Sequence, residues 1–231
     1  MDRTPEPELM TAAGQVAAYA GADFSAPHDQ FIALLRERLP GLPAKGLGAD
    51  LGCGPCDISV RFARAYESWT IDAVDGSQAM LDAAAPLLER ARLSSRITRH
   101  RLLLPCDPFT LRRYDLVFSN SLLHHLADPS VLWATVKSWT RPGGAVFVMD
   151  LLRPASRDDA RKLVDEHAGG EPDVLRTDFY NSLLAAYRPD EVRSQLLGAG
   201  LGNVALEVVS DRHWIAWGRV SAAEEKAKSK L

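Results

Sequence analysis

From Gly46 onward the chain alternates short apolar runs with amphipathic stretches of helical period, and this rhythm leaves few architectures open. Leu47–Leu51, Trp69–Val74, Ile97–Leu104, Asp115–Ser119 and Ala145–Asp150 read as strands, and Asp57–Glu67, Ser77–Arg90 and Pro129–Thr140 as the helices between them. Asp128 is placed to cap the last of these, with Pro129 in its first turn. Strands that alternate with helices form a parallel sheet covered on both faces. After Asp150 the rhythm pauses: Arg157–His167 and Val174–Tyr187 read as two helices around Gly169-Gly170, an insertion over the carboxyl edge of the sheet. A helix over Pro189–Gly198 and strands over Val204–Val209 and His213–Gly218 close the chain. Ser210-Asp211-Arg212 is too short for a parallel crossover, so this last pair must be antiparallel.

Ahead of this pattern, residues 8–39 read as two helical stretches broken near Gly21 and stopped by Pro40-Gly41. The chain thus divides into an N-terminal helical cap (1–45), a main domain (46–220) carrying the helical insertion or lid (151–188), and a flexible tail (221–231). The tail's final Ser229-Lys230-Leu231 has the form of a peroxisomal address, but it ends a short, charged, Ala-rich run. A length of 231 residues suits one large domain with one core. The net charge of −3 argues against a nucleic-acid partner, which normally meets a basic excess. No apolar run approaches the roughly 20 residues of a membrane span, and the N-terminus lacks the apolar core of a signal peptide. Three cysteines make no disulfide framework, so a cytoplasmic location is expected.

The segment Gly48-Ala49-Asp50-Leu51-Gly52-Cys53-Gly54-Pro55-Cys56-Asp57 lies between the first strand and its helix. Gly52 and Gly54 permit a tight turn and let backbone approach a ligand, and the helix start that follows offers free N–H groups. Asp75, at the end of the second strand, is placed to accept the hydroxyls of a ribose. Together these features indicate a nucleoside cofactor. They lean away from NAD, because Asp57 stands where the dinucleotide pattern has Gly or Ala. Cys53-Gly54-Pro55-Cys56 is also a C-x-x-C, for which a dithiol–disulfide role is the competing reading. One such pair offers too few ligands for zinc, and no metal site is expected.

Asp50-Leu51-Gly52-Cys53-Gly54 resembles the first motif of class I S-adenosylmethionine-dependent methyltransferases, and Val74 to Leu81 resembles their second. Tyr114 to Leu126 is similar to the fourth, and Arg141-Pro142-Gly143-Gly144-Ala145 to the turn before the fifth strand. The resemblance covers about residues 46–150 and departs where Cys56 replaces a third glycine. It implies an α/β, Rossmann-like fold with a seven-stranded, mostly parallel sheet in the order 3-2-1-4-5-7-6, strand 7 antiparallel. It implies S-adenosylmethionine as cofactor, S-adenosylhomocysteine as product, and methyl transfer to a small-molecule acceptor. By position in the motifs, Gly52, Cys53 and Gly54 would line the methionine end, with Asp50 a further cofactor-binding residue. Asp75 would hold the ribose, and Gly76 and Met80 would flank the adenine, with Cys106 and Asp107 at its edge. Asn120 would face the methionine portion.

His124, His125 and Asp150 follow strands 4 and 5 beside the same crevice and are the candidate catalytic groups; the alternative is that the histidines shape the pocket floor or cap a helix. Tyr19 and Phe24 in the cap and Tyr180 in the insertion can wall an acceptor pocket or simply pack. Arg153, with Arg157 and His167, can bind an anionic acceptor or lie on the surface. No Asn-Pro-Pro-Tyr-like run follows strand 4, which disfavours amide or nucleic-acid nitrogen as acceptor and points to a small molecule. A monomer or homodimer is expected. Two other classes remain: a protein that holds the cofactor without transferring its methyl group, and an NAD(P)-dependent oxidoreductase.

Overall fold

A computed structural model describes residues 1–7, 9–10, 12–105 and 113–221. Helices α1 (Ala13–Gly21) and α2 (Ser25–Arg38) precede the sheet, which begins with β1 (Gly46–Leu51). Then follow α3 (Asp57–Ala65), β2 (Trp69–Asp75), α4 (Gln78–Ala91), β3 (Ile97–Arg101) and β4 (Tyr114–Asn120). A short 3-10 turn (Leu123–His125) leads to α5 (Ser130–Trp139) and β5 (Thr140–Leu151). The chain continues through α6 (Arg157–Ala168), α7 (Asp173–Ala185), α8 (Pro189–Gly198), β6 (Ala205–Val208) and β7 (His213–Arg219).

The seven strands form one sheet in the order β3-β2-β1-β4-β5-β7-β6, with β7 antiparallel to both of its neighbours and the other pairs parallel. The order expected from the family resemblance is the one observed. Within the main domain, two element ends differ by three residues or more. β3 stops at Arg101 rather than Leu104. β5 begins at Thr140, so Arg141-Pro142-Gly143-Gly144 lies inside the strand as an irregularity rather than before it. Tyr114 pairs with Thr140 and Leu116 already with Ala145, so the extra residues bulge from the ladder. Gly144 sits where a Cβ would come within 2.9 Å of the Tyr114 and Arg141 carbonyl oxygens, which explains the glycine. Asp128 caps α5 from one residue further out, accepting the Ser130 N–H at 2.9 Å.

Alternation along each strand sends side chains to two cores. Phe118, Phe147 and Ile215 face α2, α3 and α4, while Leu51, Val117, Val148 and Trp214 face α5 and α8. The first core is knit by rings: Phe62 of α3 stacks on Phe118 at 5.0 Å, and Phe31 of α2 meets Phe147 edge-on at 4.9 Å. A third, smaller cluster joins α6 and α7 through Val164 and Leu183. The 153–187 insertion therefore has its own packing beyond the end of β5. Among the described residues no helix is long and apolar enough to cross a membrane.

Phe118 is fully buried between two helices, so its truncation leaves a cavity that rigid strands cannot close. Phe118→Ala should lower the unfolding free energy by about 3–5 kcal/mol, read as a shifted urea midpoint at unchanged slope.

Candidate active site

The strand order reverses at β1, which has β2 on one side and β4 on the other. Loops leaving the carboxyl ends of β1 and β4 therefore diverge, and such a reversal opens a crevice in α/β sheets. The β1 loop is pinned at its start: the Gly52 and Cys53 N–H groups both donate to the Val74 carbonyl, at 2.8 and 2.9 Å. Gly52 has φ +69°, and a Cβ there would press on Leu122 from the β4 side at 2.8 Å, so only glycine serves. The turn closes with the Cys56 N–H donating to the Cys53 carbonyl at 2.9 Å, and α3 begins.

Asp75 joins this loop to the next. Its Oδ2 accepts the Gly54 N–H at 2.8 Å and its Oδ1 the Ser77 N–H at 2.7 Å. Each oxygen keeps a further lone pair. Burial pushes the Asp75 carboxyl up, partly offset by these two donors. Asp50 lies deeper, beneath the loop rather than on its rim. It is 1% exposed and accepts the Ser59 hydroxyl at 2.5 Å, and burial pushes its pKa up to about 7. Cys53 and Cys56 are buried thiols with Sγ atoms 3.7 Å apart, and burial pushes Cys53 well above the ordinary thiol range. Beyond Asp75, a Cβ on Gly76 would meet Leu103 at 2.7 Å and Leu9 at 2.8 Å, and Met80 is buried behind it. Asn120 ends β4, half-buried and paired with Met149. Cys106 and Asp107 lie outside the described residues.

Tyr19 and Phe24 come together at 4.8 Å, and Phe24 lies 5.6 Å from His28, which faces Asp57 at the start of α3. Burial and the carboxylates of Asp57 and Asp75 push the Tyr19 phenol up to about 12. The aromatic pair thus sits on the β1-loop side of the crevice.

The other side is built around Asp150. Its Oδ2 accepts the Leu123 N–H at 2.7 Å, and its Oδ1 accepts the Leu151 N–H at 2.7 Å and faces His124 Nδ1 at 2.5 Å. Burial opposes charge on Asp150, but the His124 ring and the two backbone donors outweigh it and hold the carboxyl below its usual range. For His124, burial likewise opposes the charge, while Asp150 and Glu6 prevail and raise its pKa. His125, its ring tilted 36° and centred 4.2 Å from that of His124, is pushed down to about 3 by burial and by that neighbour. The structure therefore gathers His124, His125 and Asp150 into one cluster.

Glu6 joins them, and sequence reasoning missed it. Its Oε1 lies 3.2 Å from His125 Nδ1 and 3.6 Å from His124 Nε2, and accepts the Ser182 hydroxyl at 3.0 Å. The segment that carries it is tied across the sheet edge. The Arg3 guanidinium donates to the Ala185 and His124 carbonyls and lies 4.3 Å over the Tyr187 ring, and the Thr4 N–H donates to Leu184. Pro5-Glu6-Pro7 carries no periodicity and no motif, so no signal in the sequence pointed to it.

Arg153 and Tyr180 are not brought to this cluster. Arg153 is buried, with its guanidinium spent on Glu191 at 2.6 Å and the Ala186 carbonyl at 3.2 Å, where it ties the insertion to α8. Tyr180 packs toward α6, under Arg161. Arg157 donates to Thr4, and His167 pairs with Asp211 on the surface.

A family profile described as a methyltransferase domain matches residues 49–146. The chain is 25% identical over 199 residues to the 27-O-demethylrifamycin SV methyltransferase of Amycolatopsis mediterranei, covering 84% of this chain and 69% of that enzyme. It is 32% identical over 102 residues to an uncharacterised methyltransferase of Schizosaccharomyces pombe, covering 42% of this chain and 37% of that protein. The chain thus spans little more than a third of that second relative. A methyltransferase structure from Aquifex aeolicus superposes with a TM-score of 0.65 at 15% identity, covering 91% of this chain and all of that one.

The crevice fits S-adenosylmethionine. A carboxylate with free lone pairs stands where a ribose can reach it, apolar walls of Leu9, Leu103 and Met80 follow, and the space off Gly54 is open. Asp75→Ala should weaken S-adenosylhomocysteine binding by about 1–3 kcal/mol in calorimetric titration, with the fold checked by circular dichroism. A second prediction concerns Asp50. Its native pKa of about 7 exceeds its unfolded value, so between roughly pH 4 and 7 the folded state binds the extra proton and stability falls as pH rises. Asp50→Asn should remove a slope of about 1.4 kcal/mol per pH unit from urea-melt free energies across that window. By its methyltransferase-domain match over residues 49–146, its ordered motifs and its strand order, the chain is similar to the class I S-adenosylmethionine-dependent methyltransferases.

Proposed function

We propose that the protein transfers the S-adenosylmethionine methyl group to a hydroxyl oxygen of a small, uncharged organic acceptor by in-line displacement. The observation that carries this reading is the buried Asp150–His124 pair, 2.5 Å apart, at the end of β4 across from the Gly52 loop. Bound cofactor supplies a methyl group already activated on sulfonium. An acceptor oxygen then needs only to be held in line with the methyl carbon, within about 3 Å, and relieved of its proton. As the new C–O bond forms, the S–C bond breaks with its electron pair passing to sulfur, leaving a methyl ether and S-adenosylhomocysteine. Asp150 commits the Nδ1 of His124, leaving Nε2, 3.6 Å from Glu6 Oε1, as the ring nitrogen of this cluster at which the acceptor's proton is given up. A thioether acceptor would need no such apparatus.

The charges support an uncharged acceptor. Arg153 and Arg157 are engaged elsewhere, whereas Glu6 and Asp150 lie at the histidines. The Amycolatopsis relative, whose name places its methyl group on an oxygen, agrees with oxygen as the receiving atom. The strap of residues 1–7 and helix α7 pack together beside the histidines.

The test is S-adenosylhomocysteine formation from S-adenosylmethionine with a panel of phenols, alcohols, amines and carboxylic acids. Methyl ethers from the hydroxyl compounds support the reading; products only from amines or carboxylates, or cofactor binding without turnover on any of them, overturn it. His124→Ala should lower kcat by about 10²–10⁴-fold while leaving S-adenosylhomocysteine affinity unchanged.

A further inference from the structure

Glu6, His124 and His125 carry more geometry than a proton-handling cluster needs. Glu6 Oε1, His124 Nε2 and His125 Nδ1 all lie within 4.8 Å of one another. Two of the three separations are 3.2 and 3.6 Å. A tetrahedral ion with bonds of about 2.0–2.1 Å sets its ligands roughly 3.4 Å apart, so these edges are those of a coordination tetrahedron.

The opposite side of each ring is also committed. His124 Nδ1 faces Asp150, and His125 donates to the Pro7 carbonyl. Both remaining lone pairs are thereby turned toward the same carboxylate oxygen. His125 Nδ1 is buried and has no hydrogen-bond partner. A desolvated lone pair facing a carboxylate is repulsive unless a cation lies between them. Carboxylate or carbonyl oxygens behind ligating imidazoles, and a hydroxyl such as that of Ser182 on the ligating carboxylate, form the usual support of a metal site.

We propose that Glu6 Oε1, His124 Nε2 and His125 Nδ1 bind one divalent transition-metal ion of the zinc type, with the fourth position left to the acceptor's oxygen. Two imidazoles and one carboxylate suit such an ion, and three protein ligands mark a catalytic rather than a closed structural site. The proposal rests on the cluster being the acceptor end and names the agent there. On coordination the acceptor hydroxyl releases its proton to solvent, because the ion lowers its pKa. The oxygen then attacks the methyl carbon and the S–C electron pair goes to sulfur, so no histidine has to hold the proton. Glu6 comes from the tied N-terminal segment, so the ion also fastens that segment over the acceptor.

The experiment is calorimetric titration of chelator-stripped, full-length protein with Zn²⁺, repeated with Co²⁺ for its visible spectrum. The samples are wild type, Glu6→Gln, His125→Ala and His167→Ala. The last removes a ligand of the exposed Glu166–His167–Asp211 group, the other candidate cluster among the described residues. Wild type and His167→Ala should bind one ion per chain and give the intense bands of tetrahedral cobalt. Glu6→Gln and His125→Ala should bind at least about tenfold more weakly. Titration of every sample with S-adenosylhomocysteine confirms folding. No stoichiometric uptake by wild type, or equal uptake by all four, overturns the proposal. So does methyl transfer that survives chelation yet is lost in His124→Ala, an outcome that leaves the methyltransferase reading intact. Failure of wild type to bind S-adenosylhomocysteine would count against the cofactor assignment itself.

Discussion

Everything functional in this protein hangs from the backbone ladder of β1. Its hydrogen bonds run to β2 on one edge and to β4 on the other, so the chain departs in opposite directions at neighbouring strand ends. The Gly52 loop, the Asp75 carboxylate and the Leu122–His125 turn are placed by that single reversal. The two ring-lined cores keep the strands from shifting in register, and a shift of one residue would turn Asp50 and Asp150 to the wrong faces.

Three buried or half-buried carboxylates near the carboxyl edge show how donors decide charge. Asp50 has a single hydroxyl donor and is pushed up to about 7. Asp75 has two backbone donors, which offset part of the cost of burial. Asp150 has two backbone donors and an imidazole, and stays below its usual range. Burial alone would raise all three; the number and charge of donors separate them. The Ser59 hydroxyl anchors Asp50 beneath the Gly52 loop, whereas an ionised Asp150 orients the His124 ring.

The N-terminal strap ties the two halves of the site. Leu9 borders Gly76 on the cofactor side, Glu6 meets the histidines on the acceptor side, and Arg3 holds the turn that carries them. A single segment thus borders both Gly76 and the histidine cluster.

Much of this was legible in the sequence, because it is written in local patterns. Period-two and helical spacing revealed the strands and helices, the glycine loop and Asp75 marked the cofactor crevice, and four ordered motifs implied the strand order that the structure has. His124, His125 and Asp150 could be nominated from their places after strands 4 and 5. What the sequence left undetermined depends on contacts between distant residues. Arg153 looked available for an acceptor, but folding sets Glu191 beside it, and a buried guanidinium must take the nearest carboxylate. Tyr19 and Phe24 looked like acceptor walls, and what they meet is each other and His28, a contact between the end of α1 and the start of α2 that neither element's own pattern shows. Glu6 sits in a proline-flanked segment without periodicity, so only the path of the strap across the finished sheet brings it to the histidines. Periodicity reports which face of its own element a residue occupies; which distant side chain meets that face is decided when the elements pack.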